Sequence, residues 1–280
     1  EFIAGERFNY SNTGYVMLGV LISRVTGKPY WEFLRERIFD PAGMPTIRVN
    51  TESDIVKHRA RGYLPVDGGW KQAGYVAPMT NTTADGSMLM NLQDMIAWND
   101  VVANRRILSE QSWNLILSPM KLNSGRTYPY GFGWFLNEVG GHTVQNHGGN
   151  WQGFSTQFNR FTGDELAVIV LANARSFSVI GLPNKIGALL NPSLASDPPP
   201  STQISDPDPK ATNYVRGILL KIALGELVLE DFAFIRQTIF PRTRDALTAQ
   251  LQGMGAPDRM ELLDRKLVGD DVSLQYWAWY

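Results

Sequence analysis

The stretch Asn9-Tyr10-Ser11-Asn12-Thr13-Gly14-Tyr15 (NYSNTGY) decides how this chain is read, because it leads straight into the apolar run Val16-Met17-Leu18-Gly19-Val20-Leu21-Ile22. Ser11 or Asn12 offers a side-chain acceptor to the open N–H groups of a first helical turn. The pattern predicts a helix from Thr13 to about Thr26, stopped by Gly27. The run is apolar nearly all round, and a helix of that kind is expected to be buried. Tyr10-Ser11-Asn12 itself has two readings. In one, Ser11 or Asn12 caps and Tyr10 packs. In the other, Tyr10 is a general base of shifted pKa and Asn12 binds a substrate amide.

Outward from there, Pro29 suits the first turn of a second helix through Trp31, Phe33, Leu34 and Ile38-Phe39, ending at Asp40-Pro41-Ala42-Gly43. Residues 45–90 are rich in Gly, Pro, Thr and Asn and read as loops with a short strand or two. A helix is expected from about Leu92 to Asn104, with Leu92, Met95, Ile96 and Val101 on one side, and Ser109 caps a short one. From Tyr130 the period changes to that of strands: YGFGWFL, GGHTVQNHGG, GFSTQFNR and ELAVIVLAN, separated by tight turns. Their closeness in sequence favours antiparallel pairing. SVIGLPNKIGALL returns to a helix, and residues 191–210 form a Pro-rich linker. Beyond it, NYVRGILLKIALGEL and TRDALTAQLQGMG read as helices, and MELLDRKLVGDDVSLQYWAWY as a hairpin around Gly269-Asp270-Asp271. The aromatic-rich faces of that last strand call for neighbours on both sides, so the chain is expected to be cut there. The first residues lack an initiator Met and a signal-peptide pattern, and they read as the interior of a longer chain.

Composition narrows the class. The chain has 280 residues, 44% hydrophobic and 19% charged, with a formal net charge of -1 and no cysteine. A chain of that length buries roughly three quarters of its unfolded surface. The charge balance argues against nucleic acid as a partner. Without Cys there is neither a disulfide nor a thiolate metal site, and no apolar run reaches the length of a membrane span. His58 and His142 have no partner at metal-ligand spacing. No metal or cofactor is expected.

The second stretch with chemistry is Asn146-His147-Gly148-Gly149-Asn150-Trp151-Gln152-Gly153-Phe154. Gly148 and Gly149 let a backbone come close to a ligand, and His147 reads as lying at the end or in the middle of a strand, either facing a cleft or solvated and idle beside a Gly-rich turn. Tyr63, Trp70, Trp134, Trp151 and Phe154 are candidates to wall a pocket, with Trp151, directly after the glycines, kept as a substrate contact.

Taken together, the two stretches resemble the serine β-lactamase-like family of penicillin-binding-protein-like hydrolases, which includes class C β-lactamases, D-Ala-D-Ala carboxypeptidases, D-aminopeptidases and family VIII esterases. The run GERFNYSNTGYVMLGVLISRVTGKPYWEFLRERIFDPAGM is similar to the family's usual sequence in this region, as is YPYGFGW before the His-x-Gly strand. The resemblance covers about residues 1–190. It implies an α/β (α+β) fold: an antiparallel sheet flanked by helices plus a helical half, followed by a small, incomplete α+β unit at 211–280. It also implies a serine hydrolase that forms an acyl-enzyme, acting on an ester, β-lactam or D-amino-acid peptide bond of a small molecule or peptide. A periplasmic or secreted location follows from the same resemblance, and the oligomeric state stays open. Of the family's three motifs, Tyr-x-Asn matches Tyr10-Ser11-Asn12, and Lys-Thr-Gly or His-x-Gly matches His147-Gly148-Gly149. Tyr10 then shuttles protons, Asn12 and His147 contact substrate, Gly148 and Gly149 line the site, and the Asn150 N–H is half of an oxyanion hole. Ser-x-x-Lys, the nucleophile motif, belongs upstream of Tyr-x-Asn. The one literal match, Ser118-Pro119-Met120-Lys121, comes after it and is a decoy. This chain is therefore expected to be inactive as it stands. The other reading of function is a catalytically inactive homologue that recognises peptide or glycan.

Overall fold

The computed structural model describes residues 2–49, 55–74, 83–175, 179–195, 200–233 and 240–280. Helix α1 spans Asn12–Thr26. Ser11 Oγ accepts from the Gly14 N–H at 3.1 Å, and Gly27 leaves the helix at φ +69°, so both ends fall where the sequence puts its stops. The packing of α1 departs from expectation. Gly19 is its buried residue, and a Cβ there would collide with that of Ala84. Met17, Leu18 and Leu21 face outward, and Val25 is 77% exposed. The described residues press closest on the Gly19 side, where Ala84 and Tyr30 lie, and leave much of the apolar surface uncovered.

Helix α2, Tyr30–Leu34, takes Pro29 as its N-cap rather than inside its first turn. It continues through a π-helical turn, Arg35–Phe39, and a short turn, Asp40–Ala42, that Gly43 ends at φ +74°. The described parts of the irregular region contain only short strands: β1 (Arg48–Val49) paired with β4 (Met88–Leu89), and β2 (Tyr63–Val66) paired with β3 (Gly69–Gln72). Its parts at 50–54 and 75–82 lie outside the described residues. Helix α3, Leu92–Ala103, begins with a reciprocal cap between Asn91 and Asp94. Met95 and Val101 face the core, but Leu92 and Ile96 are exposed. Helix α4, Glu110–Ile116, starts at Ser109, and β5 (Met120–Lys121) pairs with β6 (Thr127–Tyr128).

The run YGFGWFL becomes a strand only at Phe135. Before it the chain turns tightly, with the Gly131 N–H donating to Trp134 O at 2.8 Å and Gly133 at φ +83°. Strands β7 (Phe135–Val139), β8 (His142–Trp151), β9 (Phe154–Phe161) and β10 (Leu166–Ala172) form one antiparallel sheet in the order β10-β9-β8-β7. The turns Gly140-Gly141 and Gln152-Gly153 have positive φ at both positions, which is the two-residue turn whose twist suits a hairpin. One cluster joins Phe158 and Trp134 of this region to Val101, Val102 and Trp113 of the helices. Another joins Val144, Phe161 and Val168 to Leu194, with Ile186 of α5 (Leu182–Leu190) packed against it. Arg160 ties the sheet to α3, donating to Asn99 Oδ1 at 2.9 Å.

The chain divides into compact units at 1–197 and 198–280. The second contains α6 (Pro209–Leu224), α7 (Phe240–Leu251) and the hairpin of β11 (Arg259–Val268) and β12 (Asp271–Trp279). Val272, Trp277 and Trp279 are exposed on it. Among the described residues no helix is long and apolar enough to cross a membrane.

The Gln152-Gly153 turn carries the loop before β2: Tyr63 N–H donates to Gly153 O at 3.3 Å. Gly153 sits at φ +82°, and a Cβ there would lie 2.5 Å from Tyr63 N. Gly153→Ala is therefore expected to destabilise the first unit by about 2 kcal/mol, since the left-handed backbone alone costs roughly 1–2 kcal/mol with a side chain. Urea denaturation of the chain with and without the substitution measures this.

Candidate active site

Tyr10 and His147 come together. Residues 4–10 are held to the β5–β6 hairpin, with Asn123 N–H donating to Gly5 O at 2.8 Å and Asn123 Nδ2 to Ala4 O at 2.9 Å. Phe8 stacks on Tyr128 at 4.1 Å between ring centroids. That anchoring sets Tyr10 with its ring 5.9 Å from His147 and 6.3 Å from Tyr130. Asn12, the first residue of α1, is exposed, and its side chain has no hydrogen bond among the described residues.

The register of β8 explains the other half. The Trp151↔Phe154 pair closes the two-residue turn, so it is a hydrogen-bonded pair, and bonded and non-bonded pairs alternate from there. Gly148 and Asn150 fall in non-bonded positions toward β9 and turn their backbone groups to the opposite edge. Among the described residues that edge has no strand partner past this point, because β7 pairs with β8 only as far as Phe135↔Asn146. His147 Nδ1 lies 2.7 Å from Gly148 O, so the carbonyl on this edge is satisfied by the neighbouring imidazole. By the same alternation the Asn150 N–H points off the same edge. The Asn150 side chain accepts from Ser155 Oγ at 2.7 Å, which holds the residue in place.

The two glycines differ. A Cβ on Gly148 would run into Gln157 Oε1, so Gly148 is small because Gln157 crosses it. Gln157 donates to Asn159, and Asn159 to Asn184 on α5, each at 2.9 Å. Gly149 is exposed, with Thr156 Oγ1 at 3.2 Å from a built Cβ. Trp151 ends β8 and is exposed. Of the suggested pocket walls, Trp134 is core, 6% exposed and packed on Phe158, while Trp70 is largely exposed.

Electrostatically the pair is neutral. Partial burial first, then Tyr15 and the Asp85 carboxylate, push the Tyr10 hydroxyl above the usual tyrosine range. At neutral pH it is protonated, a proton donor until a cation comes near enough to lower it. Burial pulls the His147 imidazole below its ordinary value, opposed by its bond to Gly148 O. Tyr130 and Tyr15 escaped the sequence reading, although both stand in the quoted stretches, as the last residue of NYSNTGY and the third of YPYGFGW. Nothing in those strings tells a tyrosine that reaches a histidine from one that only packs.

Two other candidates drop out. Ser118 follows α4 instead of opening a helix, and its hydroxyl donates to Asn114 O, so Ser118 and Lys121 do not share a helix face. Ser193 Oγ, His142 and Asp164 lie in series at 3.0 and 2.8 Å, as in a hydrolytic triad. Yet the Ser193 N–H and hydroxyl both reach Asn191 Oδ1, and Asn191 Nδ2 donates to Asp164. The ring of four side chains is a staple between the start of β8, the β9–β10 turn and the segment after α5. Among the described residues no group of acidic or His side chains could hold a metal ion.

A four-stranded antiparallel sheet between helices, with Tyr-x-Asn opening a helix beside His-x-Gly on an open strand edge, defines a penicillin-binding-protein-like serine hydrolase fold. The Beta-lactamase family pattern matches residues 1–185, and the chain belongs to that family. It is 32% identical over 186 residues to a penicillin-binding protein of Bacillus subtilis (strain 168), covering 61% of this chain and 41% of that one. It is 25% identical over 205 residues to a D-aminopeptidase of Gluconobacter oxydans (strain 621H), covering 72% of this chain and 38% of that one. Among solved structures, D-amino acid amidase from Ochrobactrum anthropi SV3 complexed with L-phenylalanine amide superimposes with a TM-score of 0.55 at 27% identity, over 66% of this chain and 58% of that one. The chain thus spans about two fifths of the length of these two curated relatives.

The depressed His147 has a signed consequence. The unfolded chain takes up this proton near pH 6.5, the folded chain only at lower pH, so below that point the unfolded state holds more protons. The His147 contribution to stability is full above about pH 6.5 and is lost as pH falls toward the folded value. His147→Gln should flatten this part of the stability–pH curve below about pH 6.5, measured by urea midpoints. An unchanged slope would place the imidazole in solvent.

Proposed function

We propose that residues 1–185 carry two of the three elements of a serine hydrolase that works through an acyl-enzyme, with the nucleophilic Ser and its Lys supplied by residues outside this chain. The observation that carries this reading is the meeting of Tyr10 and His147 beside the open edge of β8. The similarity to D-aminopeptidase and D-amino acid amidase supports the amide of a D-amino acid or D-peptide as substrate class, with an ester as the chemically neighbouring choice.

In this reading the serine oxygen attacks the substrate carbonyl carbon while its proton passes to the Tyr10 oxygen. The carbonyl π electrons move onto oxygen, and the Asn150 N–H meets that oxyanion. Preorganised donors of this kind are a large part of catalysis by acyl transfer. As the carbon–nitrogen or carbon–oxygen bond breaks, the leaving atom takes the proton from Tyr10. Water then repeats the sequence and frees the acid. Asn12, exposed at the head of α1, donates its side-chain amide to the acyl-side oxygen. The upstream Lys also acts on Tyr10, because its positive charge lowers a hydroxyl pKa that this chain by itself holds high.

A fluorophosphonate probe followed by mass spectrometry tests this on the longer protein and on this chain. Label on an upstream serine of the longer protein, and none here, is the expected result. Label at Ser118, Ser193 or Ser11 would contradict it, and no label on the longer protein would favour a recognition module. In the longer protein, Tyr10→Phe should lower kcat/KM by about 10²–10⁴, the usual size of a general acid–base contribution. His147→Lys should raise kcat/KM for carboxylate-bearing substrates relative to neutral ones, because a neutral imidazole pairs poorly with a carboxylate. An unchanged ratio would sink that point.

A further inference from the structure

Strand β9 has a polar inner face. Ser155, Gln157 and Asn159 occupy alternate positions along it and are all buried, Ser155 to 1% exposure. Beneath a packed helix such positions are ordinarily apolar, because a buried polar group has to find a partner. Here each one donates a directed bond. Ser155 Oγ donates to Asn150 Oδ1 at 2.7 Å, Gln157 Nε2 to Asn159 Oδ1 at 2.9 Å, and Asn159 Nδ2 to Asn184 Oδ1 of α5 at 2.9 Å. Register sets this row against Asn150, Gly148 and Asn146 of β8. Past Asn146, β8 has no strand partner on its β7 side among the described residues, so its alignment there depends on β9.

Asn150 has little backbone hold in that stretch. Its pairing with Ser155 is a non-bonded one, so no ladder hydrogen bond joins the two main chains there. Gly148 and Gly149 precede it, and glycine leaves the backbone dihedrals freest. The direction of the Asn150 N–H is set by the dihedrals of Gly149 and Asn150, and the Asn150 side chain is the handle on them. That side chain belongs to an exposed residue, yet its Oδ1 is bonded to a buried hydroxyl. Side chains alternate faces along a strand. Ser155 therefore lies on the α5 side of the sheet with Gln157 and Asn159, while His147 and its pair Phe158 lie on the other. Ser155 has no reach to a substrate beside His147, and its influence there passes through Asn150.

We propose that Ser155 is a positioning residue of the site: its buried hydroxyl, at the head of the Ser155-Gln157-Asn159 row, fixes Asn150 so that the N–H following the two glycines keeps one direction for the developing oxyanion. The Gln157 side chain backs the same segment at Gly148, where a Cβ would run into its Oε1. The catalytic role of Ser155 rests on the acyl-enzyme reading; the fixing of Asn150 does not.

The fixing is tested on this chain by ¹⁵N relaxation. The Asn150 backbone amide is expected to be rigid, with an order parameter of about 0.85, and to fall below about 0.6 in Ser155→Ala. The Thr143 amide, at the far end of β8, should not change. Catalysis is tested on the longer protein. Ser155→Ala should lower kcat by about 10–10²-fold, less than the roughly 10²–10³ for outright loss of an oxyanion donor. KM should hold, because the donor acts in the transition state. Asn150→Ala keeps the N–H and loses the handle, so it should cost a similar factor, and the double variant no more than either single one. A merely structural serine would give losses that add, or that fall on KM. An Asn150 amide as rigid in Ser155→Ala as in the native chain, or additive losses in kcat, would overturn the proposal. If Ser155→Ala does not fold, Asn150→Ala at its exposed position decides by the same two readouts at residue 150 and in kcat. No fluorophosphonate label on the longer protein, with the loss of order at Asn150 intact, would remove the hydrolase reading and the catalytic role with it, and leave the fixing of Asn150 standing.

Discussion

The site depends on the register of β8 against β9. A two-residue turn with both positions at positive φ, Gln152-Gly153, sets that register, and the side chains of a strand alternate faces with no tolerance for a slip of one. Moving β8 by one residue would carry His147 away from Phe158 and turn the Asn150 N–H inward to β9. The turn is fixed from outside as well: Gly62 and Tyr63 lie so close to it that neither Gly62 nor Gly153 has room for a Cβ. A backbone constraint at the hairpin tip is thus what brings one half-buried imidazole and one N–H to the same edge.

The chemistry that edge supports is incomplete in an informative way. Tyr10, Asn12, Tyr130 and His147 are all neutral at pH 7, and Asp85 adds negative charge near Tyr10. A tyrosine in such surroundings keeps its proton. To act as a base it needs a cation close by, and the family pattern supplies one in the lysine that accompanies the nucleophile. The same neutrality weakens the case for a carboxylate-bearing substrate. The large exposed apolar side chains of α1 lie on the helix that Tyr10-Ser11-Asn12 opens.

Much of this was legible in the sequence wherever a local rule governs. Ser11, Gly27 and Ser109 mark helix ends because a cap needs only its own first or last turn. The four strands of the main sheet follow from alternation and Gly-rich turns. The environment of α1 was not legible, since hydrophobicity tells what a surface prefers and not what covers it. The reason for Gly148 lay in Gln157, a neighbour across the sheet that depends on register. Tyr130 could not be told from a core aromatic, because its hydrogen bond to His147 exists only once the tight turn before Phe135 has folded. The motif residues Tyr10 and His147 were found as a pair through resemblance; their meeting through the Asn123 and Phe8 anchors is tertiary.

The central claim is that the Tyr10 corner and the β8 edge serve one reaction. A crystal structure of the longer protein after phosphonylation tests it most directly. The account predicts the phosphonyl oxygen on the Asn150 N–H, with the Tyr10 hydroxyl within hydrogen-bond reach of the nucleophile oxygen. An adduct seated away from the β8 edge, or with Asn150 N–H turned from it, would contradict the account.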